Sequence, residues 1–156
     1  MLSQFQGKEV LIIPDDVINK ISANINKDND CVNVRYMRKL LKQLKLTGFI
    51  PHSSLLVNRF TGKELPYIPK LDEDKLILYF NESVKAFNRI SKNRTNVLNY
   101  DYVLYKLLHL LGHDNLLQHI LLIKNKHRLI SYEKMWKNIC EELNWEYHEI
   151  EYLLKQ

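Results

Sequence analysis

The amino-acid sequence predicts an all-α fold of about six to eight helices, and three observations carry that prediction. All four prolines (Pro14, Pro51, Pro66, Pro69) and three of the four glycines fall within the first 70 residues. From Leu71 onward there is no proline and a single glycine, Gly112, so the second half is free to run in long helices. Apolar residues recur every three or four positions through most of the chain, the period of a helix buried along one side. With 156 residues, 46% of them hydrophobic and 26% charged, the chain can bury roughly 68–70% of its unfolded surface without a disulfide or a metal. One domain over 1–156 is expected, with a subdivision into N-terminal helices and a proline-containing connector (1–70) and a helical core (71–156).

The first helix opens at Pro14, with Asp15 and Asp16 at its positive end and Val17, Ile18, Ile21 and Ile25 as its apolar stripe. The preceding Lys8 to Ile13 reads equally well as a short strand or a loop. A second helix spans about Val32 to Leu46, buries Val34, Met37, Leu40, Leu41 and Leu44, and stops at Gly48. A third runs from about Pro51 to Phe60 and ends near Gly62. The long helix from about Asp72 to Ile90 begins with Asp72, Glu73 and Asp74. Asn99 caps the next, in which Tyr100, Val103, Leu104, Leu107, Leu108 and Leu111 keep the helical period until Gly112. Asp114 or Asn115 caps a short apolar helix to about Ile123. Ser131 caps one to Leu143 that carries Met135, Trp136, Ile139 and Cys140 on one face. A helix or irregular tail covers Trp145 to Gln156.

Composition excludes several classes. Apolar runs such as Leu11 to Ile13 and Ile120 to Ile123 are far too short to span a bilayer, and Met1 to Glu9 lacks a signal-peptide core. Membrane insertion or secretion is therefore not expected, and two cysteines, Cys31 and Cys140, suit a reducing intracellular setting. Lysine (17), asparagine (15) and isoleucine (14) abound while alanine numbers 2, a bias that points to an AT-rich gene.

The net charge of +5 is unevenly placed. Residues 1–70 hold 11 basic and 6 acidic side chains; residues 71–84 hold one and four; residues 85–128 hold eight and two. In the second helix Arg35, Arg38, Lys39, Lys42 and Lys45 share one face, with no acid between Cys31 and Thr47. Like charges at these spacings destabilise the helix, so such a face suits a polyanion, either nucleic-acid phosphate or an acidic protein. The bland alternative is a solvated lysine face. A second basic block occupies two loops, Lys92 to Asn96 and Lys124 to Arg128, which mix cations with amides able to donate to phosphate oxygens.

Catalytic constellations are weak. His109, His113 and His119 suggest a metal hydrolase at most, because Gly112 breaks the face shared by the first two and a clear second carboxylate is missing. His113-Asp114 resembles the doublet of the HD phosphohydrolases, but those need a later aspartate and none follows Asp114. Cys140 belongs to an apolar face, and Cys31 beside Asp30 is poorly placed to be a reactive thiolate. Tyr100 falls in the core stripe, which leaves Tyr102 and Tyr105 as the base-stacking candidates. No enzyme activity and no cofactor are expected.

The segment from Asn93-Arg94-Thr95-Asn96 through Asn99-Tyr100 and Tyr105-Lys106 to Gly112 resembles the viral late transcription factor 3-like family of poxviruses and other nucleocytoplasmic large DNA viruses. Leu121 to Leu129, Trp136 to Tyr147, and the N-terminal Phe5 to Glu9 followed by Ile13-Pro14 extend the likeness over most of the chain. The resemblance implies a late-gene transcription factor acting with the viral RNA polymerase, and the leading reading is binding to the polymerase or other transcription factors, to promoter DNA, or to both. It implies action in the host cytoplasm or viral factory, with packaging in the virion a further option. The family's arginine, asparagine, Tyr-Lys pair and Lys-x-Lys loop match Arg94, Asn96, Tyr105-Lys106, and Lys124 with Lys126. Its acid before the tryptophan is Glu133 here. An N-terminal zinc ribbon common in the family is not found in this sequence, so zinc is not carried over. One contact surface is expected from Arg94, Asn96, Lys106, Lys124 and Lys126, and a second from Arg35, Arg38, Lys39, Lys42 and Lys45. A protein–protein adaptor without nucleic-acid contact is the alternative.

Overall fold

A computed structural model describes residues 2–8, 12–91 and 99–150. Every regular element among them is helical: seven α-helices and three 3₁₀ segments. The all-α expectation is met, and the described part of Lys8 to Ile13 contains no strand. The chain divides into two compact units, Met1–Ile68 and Pro69–Gln156.

The first unit holds α1 (Leu2–Gln6), α2 (Asp15–Asn24), α3 (Val34–Gln43) and α4 (Ser53–Thr61), with 3₁₀ segments at Asn29–Cys31 and Thr47–His52. Its centre is aliphatic: Ile13, Val17, Ile21, Val32, Met37, Leu40, Leu41, Leu56 and Val57. Each such side chain contributes about 1.5–3 kcal/mol on burial. Asn33 caps α3 by accepting from the Tyr36 N–H at 2.8 Å. This helix is shorter than expected. Its stop is not Gly48 but Lys45, which turns left-handed (φ 58) while the Leu46 N–H reaches back to the Leu41 carbonyl at 2.8 Å. That closure folds Leu46 onto the core. The third predicted helix is also displaced: Pro51 lies in the 3₁₀ segment and α4 starts at Ser53. Gly62 ends α4 in the left-handed region, as the sequence suggests. Gly7 is also left-handed (φ 63), a conformation that side-chain-bearing residues rarely adopt, and a Cβ there would force the tip of the Leu65 side chain, 2.7 Å away, to shift.

The second unit holds α5 (Lys70–Ile90), α6 (Tyr100–Leu110) and α7 (Lys126–Leu143), with a 3₁₀ segment at Asp114–His119. The long α5 packs on both α6 and α7. It buries Leu76 and the small Ser83 and Ala86. Trp145 stacks on Tyr79 with ring centroids 5.0 Å apart, and Arg89 pairs with Glu142 at the α5–α7 seam.

Two sequence readings are corrected here. Helix α7 begins a turn and a half before Ser131: Asn125 is its cap, accepting from the Arg128 N–H at 3.1 Å, and Ser131 is an exposed residue inside the helix. The buried positions Leu129, Glu133, Trp136 and Cys140 form one continuous stripe. A glutamate within it made the apolar period start late. On α6 the tyrosines exchange roles. Tyr100 is 57% exposed and Tyr102 only 2%, because α6 buries Tyr102, Val103, Leu104, Lys106, Leu107 and Leu108, a wider arc than a single stripe.

Candidate functional site

In the first unit, the rigid aliphatic side of α3 turns its other side outward. Arg35, Lys39 and Lys42 are exposed there and Arg38 is half-buried. Lys45 lies past the helix end, so it extends the basic surface through the turn and not through the helical period. Lys20 reaches the same end of α3, where its Nζ donates to the Leu44 carbonyl at 2.9 Å. A cation at that carbonyl complements the negative end of the helix.

In the second unit, Lys124, Asn125 and Lys126 are exposed at the start of α7. Lys124 and Asn125 precede the helix as the loop reading expects, Lys126 is already its first residue, and the Asn125 side chain is engaged as the cap. Below them lies an open cleft of ≈ 320 Å³, lined by Lys126, Ile130, Glu133, Lys134, Lys137, Tyr147 and Glu149. Lys134 and Lys137 are exposed. The Lys137 ammonium lies 5.9 Å from the Tyr147 ring centroid. Nothing in the sequence singled this cleft out, since Tyr147 and Glu149 follow α7 and meet it only through the chain reversal at Asn144 (φ 58).

Lys106 is not on either surface. Its side chain is 1% exposed and its ammonium lies 2.5 Å from Glu133 Oε1 and 2.5 Å from the His148 carbonyl. Tyr102 donates its hydroxyl to the same Glu133 oxygen, and Tyr147 donates to Oε2 at 2.6 Å. One carboxylate thus gathers α6, α7 and the segment after α7. Burial pushes the Lys106 ammonium below its usual range, opposed by the hydrogen bond and charge of Glu133. Burial first, and then Glu133, push the Tyr102 and Tyr147 hydroxyls well above theirs. Tyr102, expected as a base-stacking ring, is committed to this network; Tyr105 is half-buried. Arg94 and Asn96 lie outside the described residues.

The histidines do not converge. His113 Nε2 lies 3.0 Å from Asp72 Oδ2, whereas His109 packs against the His148 ring at 4.7 Å. Burial lowers the pKa of His119. Among the described residues no group of three histidine, cysteine, aspartate or glutamate side chains could hold a metal ion. Cys140 is buried, its thiol pushed up to about 11 by burial. Cys31 is exposed, and its hydrogen bond to Asp28 raises its pKa. Among the described residues no helix is long and apolar enough to cross a membrane.

Comparison with known proteins decides the family. The family model described as Poxvirus Late Transcription Factor VLTF3 like matches residues 1–147. The chain belongs to this family. A mimivirus (Acanthamoeba polyphaga mimivirus) protein named as a putative transcription factor is 35% identical over 152 residues, covering 95% of this chain and 35% of the relative. Another so named, from Paramecium bursaria Chlorella virus 1, is 30% identical, covering 94% of this chain and 42% of its own length. A zinc finger protein of African swine fever virus is 28% identical over 81% of this chain and 35% of its own. The chain therefore spans between about a third and half of the length of these relatives. No solved structure matches it. Of the positions that carry the likeness to the late transcription factor family, Lys106 and Glu133 bind each other, and Asn125 caps α7.

Proposed function

We propose that this chain is a helical portion of a viral late-gene transcription factor, acting by contact with the transcription machinery or promoter DNA through basic surfaces. The single observation that carries the mode of action is the α3 face: Arg35, Arg38, Lys39 and Lys42, extended by Lys45, on a helix anchored by Met37, Leu40 and Leu41. The family supports the transcriptional role. A second contact surface is formed by Lys124 and Lys126 at the start of α7, with Arg94 and Asn96 proposed as its neighbours from the sequence. Lys106 is left out because its ammonium is held by Glu133. The site of action is the host cytoplasm or viral factory, and no catalytic step is assigned.

The test is binding to duplex DNA and to the cognate viral RNA polymerase across a salt series, with Arg35, Arg38 and Lys42 changed together to glutamate. The expected result is salt-sensitive binding to one of them, with a slope of about −0.9 per phosphate contacted for duplex, that the triple variant loses. Polymerase binding without DNA binding favours the adaptor form of the same role. Unchanged late transcription and unchanged binding in the triple variant overturn the reading.

A further inference from the structure

The cleft beside α7 combines features that the α3 face lacks. Cations Lys126, Lys134 and Lys137 lie along it, and its lining includes the apolar side chain of Ile130 and the ring of Tyr147. Glu133 adds little net repulsion, because Lys106, Tyr102 and Tyr147 all converge on it. Glu149 is the remaining acid and is exposed. The volume is at the small end of ligand sites. A flat, partly apolar group with donor edges and a linked phosphate matches this lining: the ring and Ile130 meet its face, Glu149 accepts from its edge, and the lysines meet the phosphate.

We infer that this cleft takes an unpaired nucleotide of a single-stranded nucleic acid, its base against Tyr147 and Ile130 and its phosphates on Lys134, Lys137 and Lys126. A single strand is favoured over a duplex because paired bases keep their faces stacked on one another, whereas an unpaired base is free to lie on an aromatic side chain. It is favoured over an acidic peptide because carboxylates would answer the lysines and leave the ring and Ile130 unfilled. The site lies in the second unit and goes beyond the α3 reading, so either can fail alone.

The experiment uses the full chain and fluorescence anisotropy with a labelled 20-nucleotide oligothymidylate, a duplex of the same length, and polyglutamate and thymidine monophosphate as competitors. Changing Lys134 and Lys137 together to glutamate is expected to weaken oligothymidylate binding roughly tenfold and to reduce the salt slope by about 1.4, at about 0.7 per single-strand phosphate contact. Both side chains are exposed, so the fold should survive, which circular dichroism checks. Tyr147→Phe and Tyr147→Leu both remove the hydroxyl from Glu133, so each is checked for folding by circular dichroism. With the fold retained, Phe, which keeps the ring, should bind as the parent does, whereas Leu should weaken binding. None of these changes should alter duplex binding, and reversal of Arg35, Arg38 and Lys42 should leave the effect of Lys134 and Lys137 intact. No binding of the oligonucleotide, or binding indifferent to Lys134 and Lys137, overturns the proposal. So does equal competition by polyglutamate or by the free nucleotide.

Discussion

The two units solve the same packing problem with different chemistry. The first closes around an aliphatic centre, its buried polar side chains such as Gln6 and Ser53 bonded to backbone groups, and its cations face outward along α3. The second places a lysine and a glutamate among its buried residues and surrounds them with two tyrosines. Burial of an ion pair removes both charges from water, and the loss is offset only when every remaining hydrogen-bonding position is filled. Here Glu133 receives three donors, and Lys106 has a carboxylate and a carbonyl. The first unit therefore depends on shape, and the second on each member of a polar set being present.

The sharpest way to break this contrast is Glu133→Ala, which strands the Lys106 ammonium in the interior. A loss of about 3–5 kcal/mol is expected, read by denaturant unfolding followed through Trp136 and Trp145, both in the second unit. The paired change Lys106→Met with Glu133→Leu should recover part of that loss, because it removes the stranded charge but leaves the Tyr102 and Tyr147 hydroxyls and the His148 carbonyl without these partners. The first-unit counterpart, Leu41→Ala, should cost about 2–5 kcal/mol with no partner able to rescue it. If the paired change is no better than the single one, the contrast between the units fails.

Alkali should separate the units next. Tyr102, Tyr147 and Cys140 have raised pKa values in the fold, so the unfolded chain loses these protons first. The stability they contribute is complete below about pH 9, the ordinary thiol value, and is lost as pH climbs toward about 11 and beyond. Lys106 works in the opposite direction, since its lowered pKa means that the fold gains as the lysine sheds its proton. Three groups oppose one, so the second unit should weaken with rising pH. Tyrosinate absorbance of Tyr102 and Tyr147 should appear only together with unfolding.

Smaller effects concern helix ends. Asn125→Ala removes the cap of α7 and should cost about 1 kcal/mol, measurable in the same tryptophan-detected unfolding. Lys45→Gly relieves a left-handed lysine in the first unit and should stabilise it by roughly 0.5–1 kcal/mol, seen as a higher midpoint by circular dichroism.

Much of the helical layout was legible because proline, glycine and the 3.6-residue period act locally. Pro14 opens α2, Asn99 caps α6 and Gly62 ends α4 where the sequence places them. Two of the misses share one cause, a polar residue that belongs to the core. Glu133 interrupts the apolar stripe of α7 and hid its first turn, and Lys106 reads as a surface cation because its partner is 27 positions away. Lysine chemistry is the same in both settings; only the long-range fold tells them apart. The α3 face was legible because its cations and its buried stripe lie on one short helix. The cleft was not, because Tyr147 and Glu149 come to it only after a left-handed turn at Asn144.

The attachment of His148 and Tyr147 to the pair inside the second unit also sets where the chain tolerates being cut. A fragment ending before Tyr147 would remove a hydroxyl from Glu133 and a carbonyl from Lys106 at one stroke. It would also remove Ile150, which is 2% exposed. A fragment or fusion of this unit must therefore keep the chain at least through Ile150, well past the end of α7 at Leu143.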